Sequence, residues 1–228
     1  APHASWKALL LAGRVARRHV DQFATTLAAV HVRSAARLAE LEGELGDRSY
    51  FRTLRLEPYY EYTAGQVPAA ARFLSALCED TLAIRAALVH GDYSPKNVLV
   101  RDGRLVVVDH EVSHVGDPAF DLGFAGAHLL SKAHHVVSSR EAFLDAQRRF
   151  WTTYAEHAVG RMWTTTGLEE RAVRHTLACL LARVAGRSQL EYLSREERER
   201  QRALVLAVLR RPPGTIDALV DAWERGLA

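Results

Sequence analysis

The stretch 88–124 constrains the fold of this 228-residue chain more than any other part of its sequence. It opens with a polar segment, 90–97, whose composition is typical of a loop. Two runs rich in β-branched residues, 98–100 and 105–108, follow on either side of the pair Asp102-Gly103. An Asp-Gly pair between such runs is typical of a β-hairpin with a tight turn. We therefore predict a hairpin that brings the polar loop close to the residue after its second strand.

Three oxygen-bearing side chains lie at the ends of these predicted elements: Asp92, Asn97 and Asp109. A carboxylate beside an attacking hydroxyl can accept its proton. An amide oxygen and a second carboxylate can hold Mg²⁺, which prefers oxygen ligands and keeps several waters. Phosphoryl transfer requires little else from a protein beyond positioning and neutralisation of charge. The three side chains therefore point to phosphoryl transfer as the chemistry of this stretch.

The spacing of these residues resembles that of a kinase catalytic loop. Kinases carry a His-x-Asp-x4-Asn motif, then a hairpin, then a further Asp. This chain has His90-Gly91-Asp92, Asn97 and Asp109 in that order. With Gly116-Asp117-Pro118 and Asp121-Leu122, the pattern resembles the aminoglycoside phosphotransferase and choline kinase-like family of small-molecule kinases. The match is dense over this stretch and looser over the helices that follow.

The resemblance implies a protein-kinase-like fold of class α+β, mostly α-helical, of which this chain is the C-terminal lobe with a short catalytic β-hairpin. It also implies ATP as the phosphoryl donor, Mg²⁺ as the cofactor, and a nucleotide and a small-molecule acceptor as partners. Carried over by motif position, Asp92 is the catalytic base that orients the acceptor hydroxyl. Asn97 and Asp109 are then the Mg²⁺ ligands.

Four further residues around the motif receive supporting roles from the same resemblance. His90 and Asp121 are expected to brace the catalytic loop through hydrogen bonds rather than to take part in the chemistry. Lys96 precedes the metal-binding Asn and either neutralises the transferring phosphoryl group or is simply solvated. Glu111 is a candidate neighbour of the metal site, with a purely solvated role as the alternative.

The acceptor is the part of the reaction that the motifs define least. The family covers aminoglycosides, choline, homoserine, methylthioribose and sugar-like alcohols. In the segment 181–193, Arg183, Arg187 and Glu191 are candidates for acceptor binding, and an ordinary helix–loop–helix junction is the simpler alternative for this segment. An acceptor carrying a carboxylate or a phosphate would suit the two arginines better than a polycationic aminoglycoside.

The rest of the chain is predicted to belong to the same lobe, which would span 1–228. We expect residues 1–87 to be helical, apart from an irregular segment at 43–65 where glycine and proline interrupt the pattern. Residues 125–228 are expected to form a helical bundle. Ser-x-x-Glu patterns at Ser138 and Ser194 predict the capped N-termini of two of its helices.

The features of a nucleotide-clamping lobe are not found in the sequence. It contains no G-x-G-x-x-G, and none of its three lysines, Lys7, Lys96 and Lys132, lies in a predicted strand. The chain also begins abruptly and without methionine. We therefore expect a fragment of a larger enzyme, whose N-terminal β lobe is absent from this chain and would be its partner. The alternative is a catalytically incomplete kinase-like module that binds a ligand or a protein.

A metal-dependent hydrolase is a third class that the sequence leaves open. It would use His90, Asp92, His110 and His114, because histidines on adjoining segments can bind Zn²⁺. No His-x3-His pair on a predicted helix and no Cys-x2-Cys pair supports such a site, and His110 and His114 are more simply explained as loop residues.

Composition narrows the classes of partner and compartment. The formal net charge is only +3, and basic residues alternate with glutamate rather than forming a stripe, so we expect no nucleic-acid partner. No apolar run approaches the length of a membrane span, and no signal peptide is recognised. Cys78 and Cys179 lie in apolar helical contexts, which predicts buried thiols and a cytoplasmic location.

Overall fold

The computed structural model describes residues 3–158, 160 and 167–227, and most of these residues are helical. The α-helices are α1 (Trp6–Leu11), α2 (Arg17–Ala35), α3 (Leu38–Leu45), α4 (Ser49–Phe51), α5 (Tyr62–Gln66), α6 (Pro68–Ala83), α7 (Ala119–His135), α8 (Arg140–Ala158), α9 (Leu168–Ala185), α10 (Arg195–Leu209) and α11 (Ile216–Leu227). A π-helical segment spans Arg52–Glu61, and 3₁₀ turns span Pro95–Asn97 and Val137–Ser139.

The strands form two small antiparallel sheets. They are β1 (Ala4–Ser5), β2 (Ala87–Val89), β3 (Val98–Arg101), β4 (Arg104–Val107) and β5 (His114–Gly116). One sheet has the order β1-β3-β4, and the other pairs β2 with β5. The predicted hairpin is thus confirmed as β3 and β4. The prediction that His114 is a loop residue was wrong, because it lies in β5 and pairs with Val89.

The hairpin is fixed by its own turn and by a helix that packs beside it. Asp102 and Gly103 both have positive φ, at 50° and 73°, as a two-residue hairpin turn of this type requires. The Gln22 side chain of α2 donates to the Gly103 carbonyl oxygen (3.0 Å) and accepts from the Leu105 amide (3.1 Å). Because one side chain bonds both the turn and the start of β4, the turn of the hairpin is tied to α2.

The segment 43–65, predicted to be irregular, is helical for most of its length. It includes the end of α3, then α4, the π-helical segment and α5. Pro58 lies inside the π-helical segment, where glycine and proline had suggested a loop. Tertiary packing overrides these local signals, since Tyr59 and Tyr60 are buried in the main core.

Helix α7 lies at the centre of the core, and its residues from Ala119 to His134 are all buried. It packs against α8 and α9. At Gly123 an added Cβ would lie 2.2 Å from the Cβ of His175, so α9 approaches the backbone of α7 there. This close packing fixes the position of α7 against α9.

Of the two predicted helix caps, the structure contains the one at Ser194 but not the one at Ser138. Ser194 forms a complete capping box with Glu197: its hydroxyl accepts from the Glu197 amide (3.2 Å), and its own amide donates to the Glu197 carboxylate (2.6 Å). Ser138 instead lies inside a 3₁₀ turn, and α8 begins at Arg140. The prediction at Ser138 therefore gave the correct helix but the wrong first residue.

The cysteines behave as the sequence predicted. Cys78 and Cys179 are free and buried, and burial raises the pKa of each thiol to about 12. Within the described ranges, no helix combines the length and the apolar character that crossing a lipid bilayer would require.

Candidate active site

The catalytic loop is held by a buried carboxylate on α7. Asp121 accepts hydrogen bonds from the backbone amides of His90 (2.7 Å) and Gly91 (2.9 Å). Its Oδ2 also lies 3.3 Å from Nε2 of His31, whose Nδ1 lies 2.8 Å from the hydroxyl of Tyr154. The start of the loop is therefore tied to α7, and α7 is tied through His31 to α2.

Asp121 is charged in spite of complete burial. Burial alone would raise the pKa of its carboxyl, but the hydrogen bond from His31, the neighbouring imidazoles of His31 and His90, and the His90 amide outweigh that effect and lower the pKa. Asp121 also lies in the first turn of α7, where the helix dipole favours a negative charge. The loop is thus held by an anion that the surrounding donors stabilise.

Gly91 has a backbone conformation that other residues rarely adopt. Its φ is +78°, and an added Cβ would lie 2.9 Å from both the carbonyl oxygen and a methyl group of Val112. Glycine therefore allows the loop to pass close to the segment between the two sheets. This requirement is local and steric, and it holds whatever chemistry the loop performs.

Replacing Gly91 with alanine is expected to destabilise the folded protein by roughly 1–3 kcal/mol, the usual range for a strained backbone position. Thermal unfolding followed by circular dichroism measures the change. Gly214→Ala is the matched control, because nothing lies within 4 Å of a Cβ added there. Equal stability of the two variants would contradict the steric account of Gly91.

Asp92 is buried between two cations. Only 2% of its surface is exposed. Its Oδ2 lies 2.8 Å from Nη2 of Arg55 and 2.9 Å from Nζ of Lys96. Arg55 also donates from Nε to the Gly91 carbonyl oxygen (2.7 Å), so one guanidinium holds both the backbone and the side chain of the loop.

Sequence reasoning missed Arg55 entirely. It lies in the π-helical segment that was predicted to be irregular, far from the motif along the chain. The only signal available was an arginine among aromatic residues, which does not identify a partner. Its role depends on a tertiary contact that no spacing rule describes.

His90 and Asn97 both hold the backbone of Asp92. The Asp92 amide donates to Nδ1 of His90 (3.2 Å), and Nδ2 of Asn97 donates to the Asp92 carbonyl oxygen (3.0 Å). Burial lowers the pKa of His90, which favours the neutral ring whose Nδ1 can accept this hydrogen bond. Because its amide nitrogen is engaged, Asn97 has its amide oxygen available for a ligand.

Asp109 follows the second strand of the hairpin. The amide of the preceding residue, Val108, donates to the carbonyl oxygen of Asn97 (3.0 Å), so Asp109 lies next to the end of the loop. Asp109 is exposed and has a φ of 70°, which is uncommon outside glycine and tends to occur at functional sites. Glu111 is also exposed. The fold therefore brings Asp92, Asn97 and Asp109 to one end of the hairpin.

The donor set fits Mg²⁺ better than Zn²⁺. Among the residues that the structure describes, no three His, Cys, Asp or Glu side chains are placed to hold a metal ion together. Mg²⁺ is usually bound by one or two protein oxygens, with waters and phosphates as the other ligands, which Asn97 and Asp109 can match. His114 is buried, bonded through Nδ1 to the Val112 carbonyl oxygen (3.0 Å) and stacked on Phe51, so the zinc-hydrolase hypothesis loses support.

The three residues predicted for acceptor binding lie in two places. Arg183 and Glu191 line a cavity that Lys96 also lines, so this cavity adjoins Asp92. Arg187 instead lies with its guanidinium 4.8 Å from the centre of the Tyr62 ring and is not among the residues that line the cavity. The predicted acceptor segment is thus divided between a cavity and a surface contact.

Comparison with known proteins places the chain in a family. The model of the phosphotransferase enzyme family matches residues 4–163. Methylthioribose kinase of Citrobacter koseri is 33% identical over 79 residues, which are 31% of this chain and 20% of that protein. Methylthioribose kinase of Klebsiella pneumoniae is 30% identical over 92 residues, which are 36% of this chain and 23% of that protein. The alignments thus span about a fifth of the length of these curated relatives.

Solved structures with the same fold are longer than this chain. A glucosamine kinase matches 99% of the chain with a TM-score of 0.51 and 17% identity, and the chain covers 58% of it. A second crystal form of glucosamine kinase gives a TM-score of 0.50 at 16% identity. At this level of identity the likeness shows a shared fold. Since the family model matches well over half of the sequence, the predicted resemblance to this family is confirmed, and the chain belongs to the phosphotransferase enzyme family.

Proposed function

We propose that this chain carries the catalytic and acceptor-binding half of a kinase that transfers the γ-phosphate of ATP to a hydroxyl of a small molecule. The observation that carries the proposal is the buried carboxylate of Asp92. It is fixed by Arg55 and Lys96, the backbone of Asp92 is bonded by Asn97, and Asp109 follows the residue whose amide bonds Asn97. Family membership supports the same chemistry.

Asp92 acts on the acceptor hydroxyl in this proposal. Both neighbouring cations contact its Oδ2, so in the described part of the chain Oδ1 is left to accept the hydroxyl proton. His90, Asn97 and Asp121 hold the backbone of the loop, so Oδ1 of Asp92 is fixed before the acceptor arrives. Phosphoryl transfer needs this positioning.

Asn97 and Asp109 would hold Mg²⁺. The metal, when bound, neutralises the charge of the transferring phosphoryl group. Lys96 adds a positive charge on the same side of Asp92 and is half exposed, so it can reach a phosphate without leaving the loop. Glu111 is exposed and would act, if at all, on the waters around the metal.

In our proposal, this chain is the C-terminal lobe of the enzyme. The nucleotide clamp belongs to an N-terminal β lobe that lies outside this chain. The chain covers 58% of the glucosamine kinase chain. Its lysines lie in α1, in the catalytic loop and in α7, and none of them lies in a described strand. A strand lysine and a phosphate-covering loop, which kinases use to hold the nucleotide, would then come from that second lobe.

The test is phosphoryl transfer by the full-length protein that contains this chain. With MgATP and a panel of small alcohols, we expect a phosphorylated product, detected by mass spectrometry and ³¹P NMR, together with ADP. Removing the metal with EDTA is expected to reduce the rate to background, and adding Mg²⁺ back should restore it. Binding of an alcohol without transfer at saturating MgATP would overturn the proposal in favour of a kinase-like binding module.

A further inference from the structure

All three lysine residues of the sequence meet in one cavity. Lys7 comes from α1, Lys96 from the catalytic loop and Lys132 from α7. Arg183 of α9 and Glu191 also line this cavity, whose volume is about 150 Å³. Four basic side chains and one carboxylate therefore face a small space beside Asp92.

Lys132 is the most unusual member of this group, because only 1% of its surface is exposed. Within the described residues, its ammonium makes one hydrogen bond, to the carbonyl oxygen of His128 (3.3 Å), and lies 5.2 Å from the centre of the Tyr192 ring. Burial, with the charges of Lys7 and Arg183, lowers its pKa to about 7. A lysine in such a place destabilises the folded state, which suggests that it is kept for function.

Arg183 is a second buried cation, and it is rigidly held. Its Nη1 donates to the hydroxyl of Tyr59 (2.9 Å) and to the carbonyl oxygen of Ser188 (2.7 Å). Its Nη2 lies 3.3 Å from Nε2 of His128. Burial and the neighbouring cations lower the pKa of His128 far below its ordinary value, so the neutral ring accepts this bond and carries no charge.

Unused hydrogen-bond donors remain around the cavity. Nε of Arg183 and the hydroxyl of Tyr192 are buried and have no hydrogen-bond partner among the described residues. Burial raises the pKa of Tyr192, so its hydroxyl keeps its proton and can donate. Buried donors without acceptors are rare in folded proteins and point to a missing ligand that accepts.

The carboxylates around the cavity do not balance the positive charge of its lysines and arginine. Glu191 pairs with Lys7, and Asp92 pairs with Lys96. No carboxylate among the described residues pairs with Lys132 or with Arg183. A negatively charged group placed in the cavity would meet both cations and the free donors at once.

We propose that this cavity binds an anionic group, a carboxylate or a phosphate, that the acceptor carries in addition to its reacting hydroxyl. The inference rests on the proposed kinase function and names the class of its acceptor. Lys96 lines the cavity and contacts Asp92, so an anion held there leaves the rest of the acceptor next to the base. Asn97 and Asp109 do not line the cavity, which separates it from the nucleotide phosphates.

The size of the cavity limits the acceptor. A cavity of about 150 Å³ accommodates a molecule of roughly the size of benzene. The anionic group and a few carbon atoms fill that volume. The acceptor is therefore a short hydroxylated acid or phosphate ester, or a longer molecule that ends in one.

Binding is tested first with three probes that differ in one terminal group and in its charge. Glycerate, glycerol and 3-amino-1,2-propanediol share a three-carbon skeleton and are anionic, neutral and cationic. The full-length protein is titrated calorimetrically without nucleotide. We expect glycerate to bind at least roughly tenfold more tightly than glycerol, and the amine not to bind. Equal binding of the three, or preference for the amine, would overturn the inference. sn-Glycerol 3-phosphate then distinguishes a phosphate from a carboxylate preference.

The variant Lys132→Met tests the source of the preference. Glycerate affinity is expected to fall roughly tenfold or more, since a charge-assisted contact is lost. The same variant should unfold at a higher temperature than the parent, because an apolar side chain of similar length replaces a buried ammonium. A lysine with only a structural role would give the opposite thermal shift. Arg37→Met is the control, because it removes an exposed charge that pairs with Glu40.

The two proposals fail in different ways. Transfer of phosphate to neutral alcohols without anion binding would leave the kinase proposal intact and overturn the anionic acceptor. Glycerate binding that depends on Lys132, without transfer to any acceptor, would support the anion site and overturn the kinase proposal.

Discussion

Replacing Asp92 with asparagine in the full-length protein is expected to lower kcat for phosphoryl transfer by roughly 10²–10⁴-fold, the range for loss of a positioned general base. Asparagine keeps the size of the side chain but cannot accept the proton of the acceptor hydroxyl. The KM for ATP should change little, because Asp92 contacts Arg55 and Lys96 rather than the residues proposed for the metal. Steady-state kinetics with MgATP and the best acceptor measure both constants.

The control for this variant is Asp102→Asn in the hairpin turn. It removes the same charge from an exposed residue, and asparagine tolerates the positive φ of 50° found there. Its kcat should equal that of the parent. If Asp92→Asn keeps a rate within a few-fold of the parent while circular dichroism shows an intact fold, Asp92 is not the base.

Replacing Asp121 with asparagine is expected to lower the free energy of unfolding by roughly 3–5 kcal/mol at neutral pH, as for other broken buried charge pairs. The amides of His90 and Gly91 would lose a charged acceptor, and His31 would lose its anionic partner. Because the catalytic loop is bound at these amides, phosphoryl transfer should fall with stability. Urea unfolding at several pH values measures the effect.

The pH dependence of the Asp121 contribution has a definite sign. The pKa of Asp121 is lower in the folded protein than its ordinary value of 3.8, so the folded state binds this proton less readily than the unfolded state. Its stabilisation is therefore complete above that ordinary value and is lost as the pH falls through the folded-state pKa. The difference between parent and variant should be widest at neutral pH and should shrink in acid.

The exposed carboxylate of Asp145 provides the control for Asp121. Its side chain is 83% exposed, so Asp145→Asn should change stability by less than about 0.5 kcal/mol at every pH. A parent–variant difference for Asp121 that grows in acid would contradict the assignment of a lowered pKa.

Local patterns were sufficient for the hairpin and for the motif residues on it. Asp102-Gly103 specifies a two-residue turn by its backbone preferences alone, and the strands on either side follow from their β-branched composition. The capping box at Ser194 was likewise complete within four residues. The strands β1 and β5 are too short to leave a period in the sequence, so neither was predicted.

The rest of the candidate site depends on contacts between distant parts of the chain. Arg55 reaches Asp92 from a helical segment that was predicted to be irregular, and Pro58 lies within it. Lys7 and Lys132 read as ordinary helix residues, because nothing in their neighbours along the chain indicates that α1 and α7 bring them together. Their charges interact strongly only in the folded protein, where burial removes the water that would otherwise solvate them.

Convergence of every lysine on one cavity has a consequence for the chemical biology of this protein. Side-chain amines are the targets of acylating reagents, reductive methylation and enzymatic acetylation, and in this sequence such groups occur at three positions only. Each of them borders the same small space. Isotope-labelled methyl groups introduced at these three amines would thus give NMR signals that all report on one cavity.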